Sequence, residues 1–90
     1  MEKDILIDGI KKKGFPIVFI RGEADGSYGI WALSEGKVIV KGYAKDEYGK
    51  QNISLKELSL VDLASLLEKG EKEESQYYQD MINDIQDSNF

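Results

Sequence analysis

The chain contains no cysteine and no histidine. Without cysteine there is no disulfide, no thiolate nucleophile and no sulfur-ligated metal. Without histidine it lacks the side chain that most often moves protons at neutral pH. Long apolar runs are missing too. The longest, Phe15-Pro16-Ile17-Val18-Phe19-Ile20, has strand length and falls far short of the ~20 residues that span a bilayer. The charged start Met1-Glu2-Lys3-Asp4 is not followed by the apolar region of an export signal. Small exported domains commonly lean on disulfides. The expected setting is therefore the cytoplasm, with no membrane partner.

What is present is ordinary globular composition, 41% hydrophobic and 32% charged, unlike the apolar-poor make-up of disordered chains. Ninety residues suit one domain over 1–90 with one modest core. The net charge of −5 is unevenly spread. Residues 1–45 hold eight Lys/Arg against six Asp/Glu, and residues 46–90 hold four against eleven. Solvated acidic helix faces explain such a half. It opposes phosphate binding and would steer the chain toward a basic protein partner.

Residues 4–13 read as a helix, with Asp4 as N-cap, Leu6 and Ile10 four apart, and Lys11, Lys12 and Lys13 at the end where the dipole favours cations. Gly14 follows as a C′ residue, with Pro16 close behind. The triplet Ile5-Leu6-Ile7 and the interior Gly9 leave an added strand as the alternative. Residues 15–21 read as a buried strand, 22–27 as a loop with an Asp25-Gly26 turn, and 28–33 and 37–43 as two strands. A polar, glycine-containing stretch spans 44–50, and 51–55 is a short fourth strand. Ser59-Leu60-Val61-Asp62 fits a capping box with an acid three residues on, while Ser54 is a rival helix start. Leu60, Leu63, Ala64 and Leu67 repeat at helical spacing. Gly70 reads as the C′ residue, and a last helix over 71–86 carries Tyr78, Met81, Ile82 and Ile85 on one stripe. The last four residues are expected to fray. The fold class is thus α+β: a small antiparallel β-meander of three to four strands, with an N-terminal helix and two C-terminal helices packed on one face.

The tight connection Ser34-Glu35-Gly36 sharpens this. If Glu35 and Gly36 form the loop, with Gly36 at positive φ, Ser34 pairs with Lys37 and Tyr28 with Tyr43. Alternation then puts Trp31, Leu33, Val38 and Val40 on one face, and Tyr28, Ile30, Ala32, Ile39, Lys41 and Tyr43 on the other. The first set is purely apolar and should meet the helices. The second is mixed. Tyrosine joins a rigid apolar ring to a polar tip, which suits interfaces.

Catalytic signatures are lacking. The serines have no histidine base, and carboxylates such as Asp8, Glu23, Asp25 and Asp62 have ordinary duties in caps and turns. The acidic groups Asp46-Glu47 and Glu71-Glu73-Glu74 lack calcium-loop spacing. The glycines of 22–29 lack the Lys and Ser/Thr of a phosphate-binding loop. No cofactor or metal is expected, and the chain does not read as an enzyme. A platform of Tyr28, Tyr43, Lys37, Lys41 and Arg21 would suit single-stranded nucleic acid, but a pI near 4.7 works against it. The reading is a non-enzymatic interaction module. It would bind a protein partner or a second copy through Tyr28, Ile30, Ile39, Lys41 and Tyr43, with Glu71, Glu74 and Asp84 on the acidic helices. The alternative is an acidic mimic of nucleic acid, in which Glu68, Glu71, Glu74 and Asp84 stand in for phosphates.

Overall fold

The computed structural model describes residues 2–87, in the order α1 Lys3–Lys13, β1 Ile17–Gly22, β2 Tyr28–Ser34, β3 Lys37–Lys45, β4 Gln51–Ser59, α2 Leu60–Lys72 and α3 Gln76–Asp87. The four strands form one antiparallel sheet in sequence order. Each is joined to the next by a short turn, as the meander requires. Gly26, Gly36 and Gly49 all take positive φ at these turns, where a side chain would be strained. Asp25 closes the first turn by accepting from the Ser27 backbone N–H at 2.9 Å and its hydroxyl at 2.6 Å. Asp46 does the same for the backbone N–H groups of Tyr48 and Lys50 in the third. The β2–β3 pairing is Ser34 with Lys37 through to Tyr28 with Tyr43, the register that a two-residue loop dictates.

Several boundaries differ from the sequence reading. The N-cap of α1 is Glu2, whose side chain makes no capping bond. Asp4 sits instead in the first turn, and the free N–H of Lys3 is satisfied by the Glu68 carboxylate from α2. A distant acid thus does the work of a local cap. Strand β4 runs nine residues rather than five, so Ser54 lies inside a strand and Ser59 is the true cap of α2, its Oγ accepting from Asp62 N–H at 3.0 Å. Gly70 is not a C′ residue. Helix α2 continues through it to Lys72, and Gly70 is buried. A Cβ there would collide with the Tyr78 ring, so the absent side chain is what lets α2 and α3 approach. The turn falls later, with Glu74 at φ 55°, and α3 begins at Gln76 rather than 71. Of the four residues expected to fray, Asp87 closes α3 and 88–90 lie outside the described residues.

The sheet has two unlike sides. On the helix side, three rows cross the strands. Ile17, Leu33, Val38 and Leu58 form the first, Phe19, Trp31, Val40 and Lys56 the second, and Arg21, Gly29, Gly42 and Ser54 the third. The core forms between the helices and the first row together with Phe19 of the second: Ile17, Phe19, Leu33 and Val38 pack with Leu6 and Ile10 of α1, Leu60, Leu63, Ala64 and Leu67 of α2, and Met81, Ile82 and Ile85 of α3. The helix layer gives out along the second row, where Trp31 and Val40 are only partly buried. The sequence reading, which placed both against the helices, holds fully for Leu33 and Val38 alone. The third row lies beyond most of the layer.

Candidate functional site

Among the described residues, no element forms a layer over the other side of the sheet. Its rows are Val18, Ala32, Ile39 and Glu57; Ile20, Ile30, Lys41 and Leu55; and Gly22, Tyr28, Tyr43 and Ile53. Nine of these twelve side chains are apolar or aromatic. Ile20, Ile53 and Leu55 are 65%, 60% and 74% exposed, while Ile30, Ile39 and Tyr43 are half-buried by their neighbours. The five sheet residues singled out from sequence, Tyr28, Ile30, Ile39, Lys41 and Tyr43, share this face. The Tyr28 and Tyr43 rings stack at 4.9 Å between centroids, a direct result of their cross-strand pairing. The Lys41 ammonium lies 5.6 Å from the Tyr43 ring centre, within range of a weak cation–π attraction. Lys37 and Glu57 form an exposed ion pair at 3.4 Å, of small energetic value.

Val18, Ile20, Ile53 and Leu55 extend the face to the edge strands and were not anticipated. Their membership depends on two registers, β1 against β2 and β3 against β4, set by five-residue connections whose geometry sequence leaves open. The alternation of Ile53 and Leu55 with Ser54 and Lys56 was the available signal.

The acidic candidates do not join this face. Glu71, Glu74 and Asp84 belong to the helix layer on the opposite side. Residues 60–87 carry two lysines against eight acids, so the net negative charge is concentrated there. Some of these acids already have partners. Asp84 accepts from the Arg21 guanidinium at 2.7 Å, with side-chain exposures of 39% and 11% for the acid and the base. Glu68 holds the Lys3 N–H and lies 3.7 Å from Lys72. Glu71 is half-buried near the end of α2, and Glu74 is exposed in the turn. The phosphate-mimic reading therefore finds at least three of its four acids, Glu68, Glu71 and Asp84, engaged within the fold.

At the open third row the helix side forms a cleft of about 360 Å³, bounded by Arg21, Gly29, Trp31, Gly42, Ser54 and Tyr77 among others. The Arg21 guanidinium carbon stands 4.4 Å from the centre of the Tyr77 ring, and its Nε is buried with no partner. Sequence reasoning missed this cleft. The signal was there: Gly29 and Gly42 fall opposite one another in the predicted hairpin register. Asp25, at the loop beside it, has its carboxyl held below the usual aspartate range by the Ser27 hydroxyl and then the Ser27 backbone N–H.

Among the described residues, no three His, Cys, Asp or Glu side chains gather as a metal ion would require, and no helix is long and apolar enough to cross a membrane. No protein-family model, curated protein or solved structure shows significant similarity to the chain.

Proposed function

We propose that the protein is a non-enzymatic interaction module whose open sheet face is its docking surface, and that the occupant of that face is a second copy of the chain. The observation that carries this reading is the predominantly apolar character of the face, nine of its twelve central positions across all four strands. Monomeric proteins rarely expose a contiguous apolar patch of more than a few hundred Å². Four strands ~4.8 Å apart and six to nine residues long at ~3.3 Å per residue give about 500 Å² in plan. Side-chain relief adds to that, which brings a face-to-face pair to ~1,200–1,600 Å², within the range of small stable interfaces.

The placement of the acidic helices is compatible with the same occupant. Glu57 pairs with Lys37 at one end of this face, Lys41 and Lys45 give it a small positive charge, and the acidic helices lie on the far side. Packing sheet to sheet puts the two negative layers as far apart as the fold allows. The arrangement is isologous, so Lys41 of one copy can meet Glu57 of the other, and the reverse.

Light scattering over a concentration series tests this, run on the wild type and on Leu55→Glu. Leu55 is the most exposed aliphatic side chain of the face and lies on an edge strand, so the variant should keep its fold. The expected result is a wild-type dimer and a monomeric variant. A wild type that stays monomeric at every concentration, or a dimer indifferent to Leu55→Glu, defeats the proposal.

A further inference from the structure

The cleft at the uncovered end of the helix side has the features of a ligand site rather than of a packing defect. Its floor is a strip of sheet without side chains, because Gly29 and Gly42 face each other across β2 and β3. Neither glycine needs its conformational freedom, since neither takes positive φ. What the pair provides is space. A Cβ on Gly29 would sit 3.4 Å from Trp31 Nε1, and one on Gly42 would sit 2.6 Å from Ser54 Oγ. The indole N–H and the serine hydroxyl thus border the volume that the missing side chains leave. Trp31 and Val40 wall the cleft from the sheet, and Tyr77 walls it from α3. Arg21 stands at its edge with Nε buried and unpartnered, in a fold whose other buried side-chain polar groups find partners among the described residues. Such an orphan donor calls for a ligand or a water.

We propose that this cleft binds a small planar ligand, uncharged or singly negative, that offers a carbonyl or carboxylate oxygen. The plane lies on the glycine strip between Trp31 and Tyr77. The oxygen accepts from Trp31 Nε1–H, with the Ser54 hydroxyl bordering the same space. Charge sets the limit on the ligand. The guanidinium of Arg21 is already matched by Asp84 at 2.7 Å, and Glu23 borders the cleft, so a doubly charged phosphate is disfavoured. The cleft opens on the helix side of the sheet, and Tyr28, Tyr43 and Ile53 of the open face also border it.

The test follows the Trp31 indole N–H resonance, unique because the chain has one tryptophan, during titration with benzoate, benzamide, cyclohexanecarboxylate and inorganic phosphate. Benzoate and benzamide are expected to shift it saturably, with the non-planar acid weaker and phosphate without effect. Gly29→Ala fills the floor with one methyl group and should weaken binding roughly tenfold or more, with thermal stability unchanged or raised, since alanine is the better strand residue. Tyr77→Ala removes the opposite wall and should weaken binding independently. No saturable shift with either planar probe, an equal response to phosphate, or unchanged binding by both variants would overturn the proposal.

Discussion

Asp25 shows how a single side chain records local geometry. Its carboxylate accepts two hydrogen bonds from Ser27, both of which favour the charged form and lower its pKa. A carboxylate depressed in the folded state contributes stability above its unfolded pKa and loses it as pH falls through the folded one. The β1–β2 turn should therefore hold at neutral and mildly acid pH and loosen only in strong acid. NMR titration should give Asp25 a midpoint below the ordinary aspartate value. Ser27→Ala should move it most of the way back, the backbone N–H accounting for the rest. A midpoint that Ser27→Ala leaves in place would mean that the hydroxyl bond is not made in solution. This turn was legible in the sequence because Asp and Gly at adjacent positions act through the next few residues. Arg21 was not. It reads as the polar end of an apolar strand, and nothing local to it points to Asp84 or Tyr77, over fifty residues away. The Glu68 cap on α1 was hidden for the same reason.

Secondary-structure elements were legible where one rule alone applied. The two-residue loop after Ser34 fixes the β2–β3 register, and with it the faces of ten side chains. Strand β4 was read too short because only Ile53, Leu55 and Leu58 give it an apolar signal, and residues 51–57 are exposed throughout. Gly70 was misread because glycine serves two purposes in helices: to end them, and to let a neighbour come close. Spacing cannot separate these, whereas the Tyr78 ring against Gly70 does. The contact makes a definite prediction. On a free helix, Gly→Ala stabilises by about 1 kcal/mol. Here Gly70→Ala must push α3 away or displace Tyr78, and overpacking of this kind costs ~1–3 kcal/mol. Urea unfolding should show Gly70→Ala to be net destabilising. In a Tyr78→Ala background the same change should be neutral or favourable, a coupling that a double-mutant cycle isolates. If Gly70→Ala stabilises the otherwise unaltered protein, α2 and α3 are not packed as described.

At the scale of the whole molecule the separation of charge from apolar surface is the governing fact. Residues 60–87 hold a net −6 from two lysines and eight acids, and the open face on the opposite side carries one acid, Glu57, among its lysines. Sequence revealed the asymmetry, but only the placement of the helices shows that the acidic and apolar surfaces point in opposite directions. The consequence for self-association is a sign. With sheets in contact at ~10 Å and a helix layer outside each, the two negative layers lie ~30 Å apart. Helix α1 adds a net +2 to each layer, from four lysines and two acids, and two charges of −4 at that distance repel by ~0.8 kcal/mol at ~0.01 M salt and by under ~0.1 kcal/mol at ~0.15 M. Association through the open faces should therefore tighten by roughly threefold over that range, and sulfate should strengthen it further by favouring apolar burial. A complex held by the acidic helices against a basic surface would show the opposite slope, because salt would screen an attraction. Sedimentation equilibrium across a salt series reads this directly. A dimer that weakens steadily as salt rises would move the interface from the sheet to the helices.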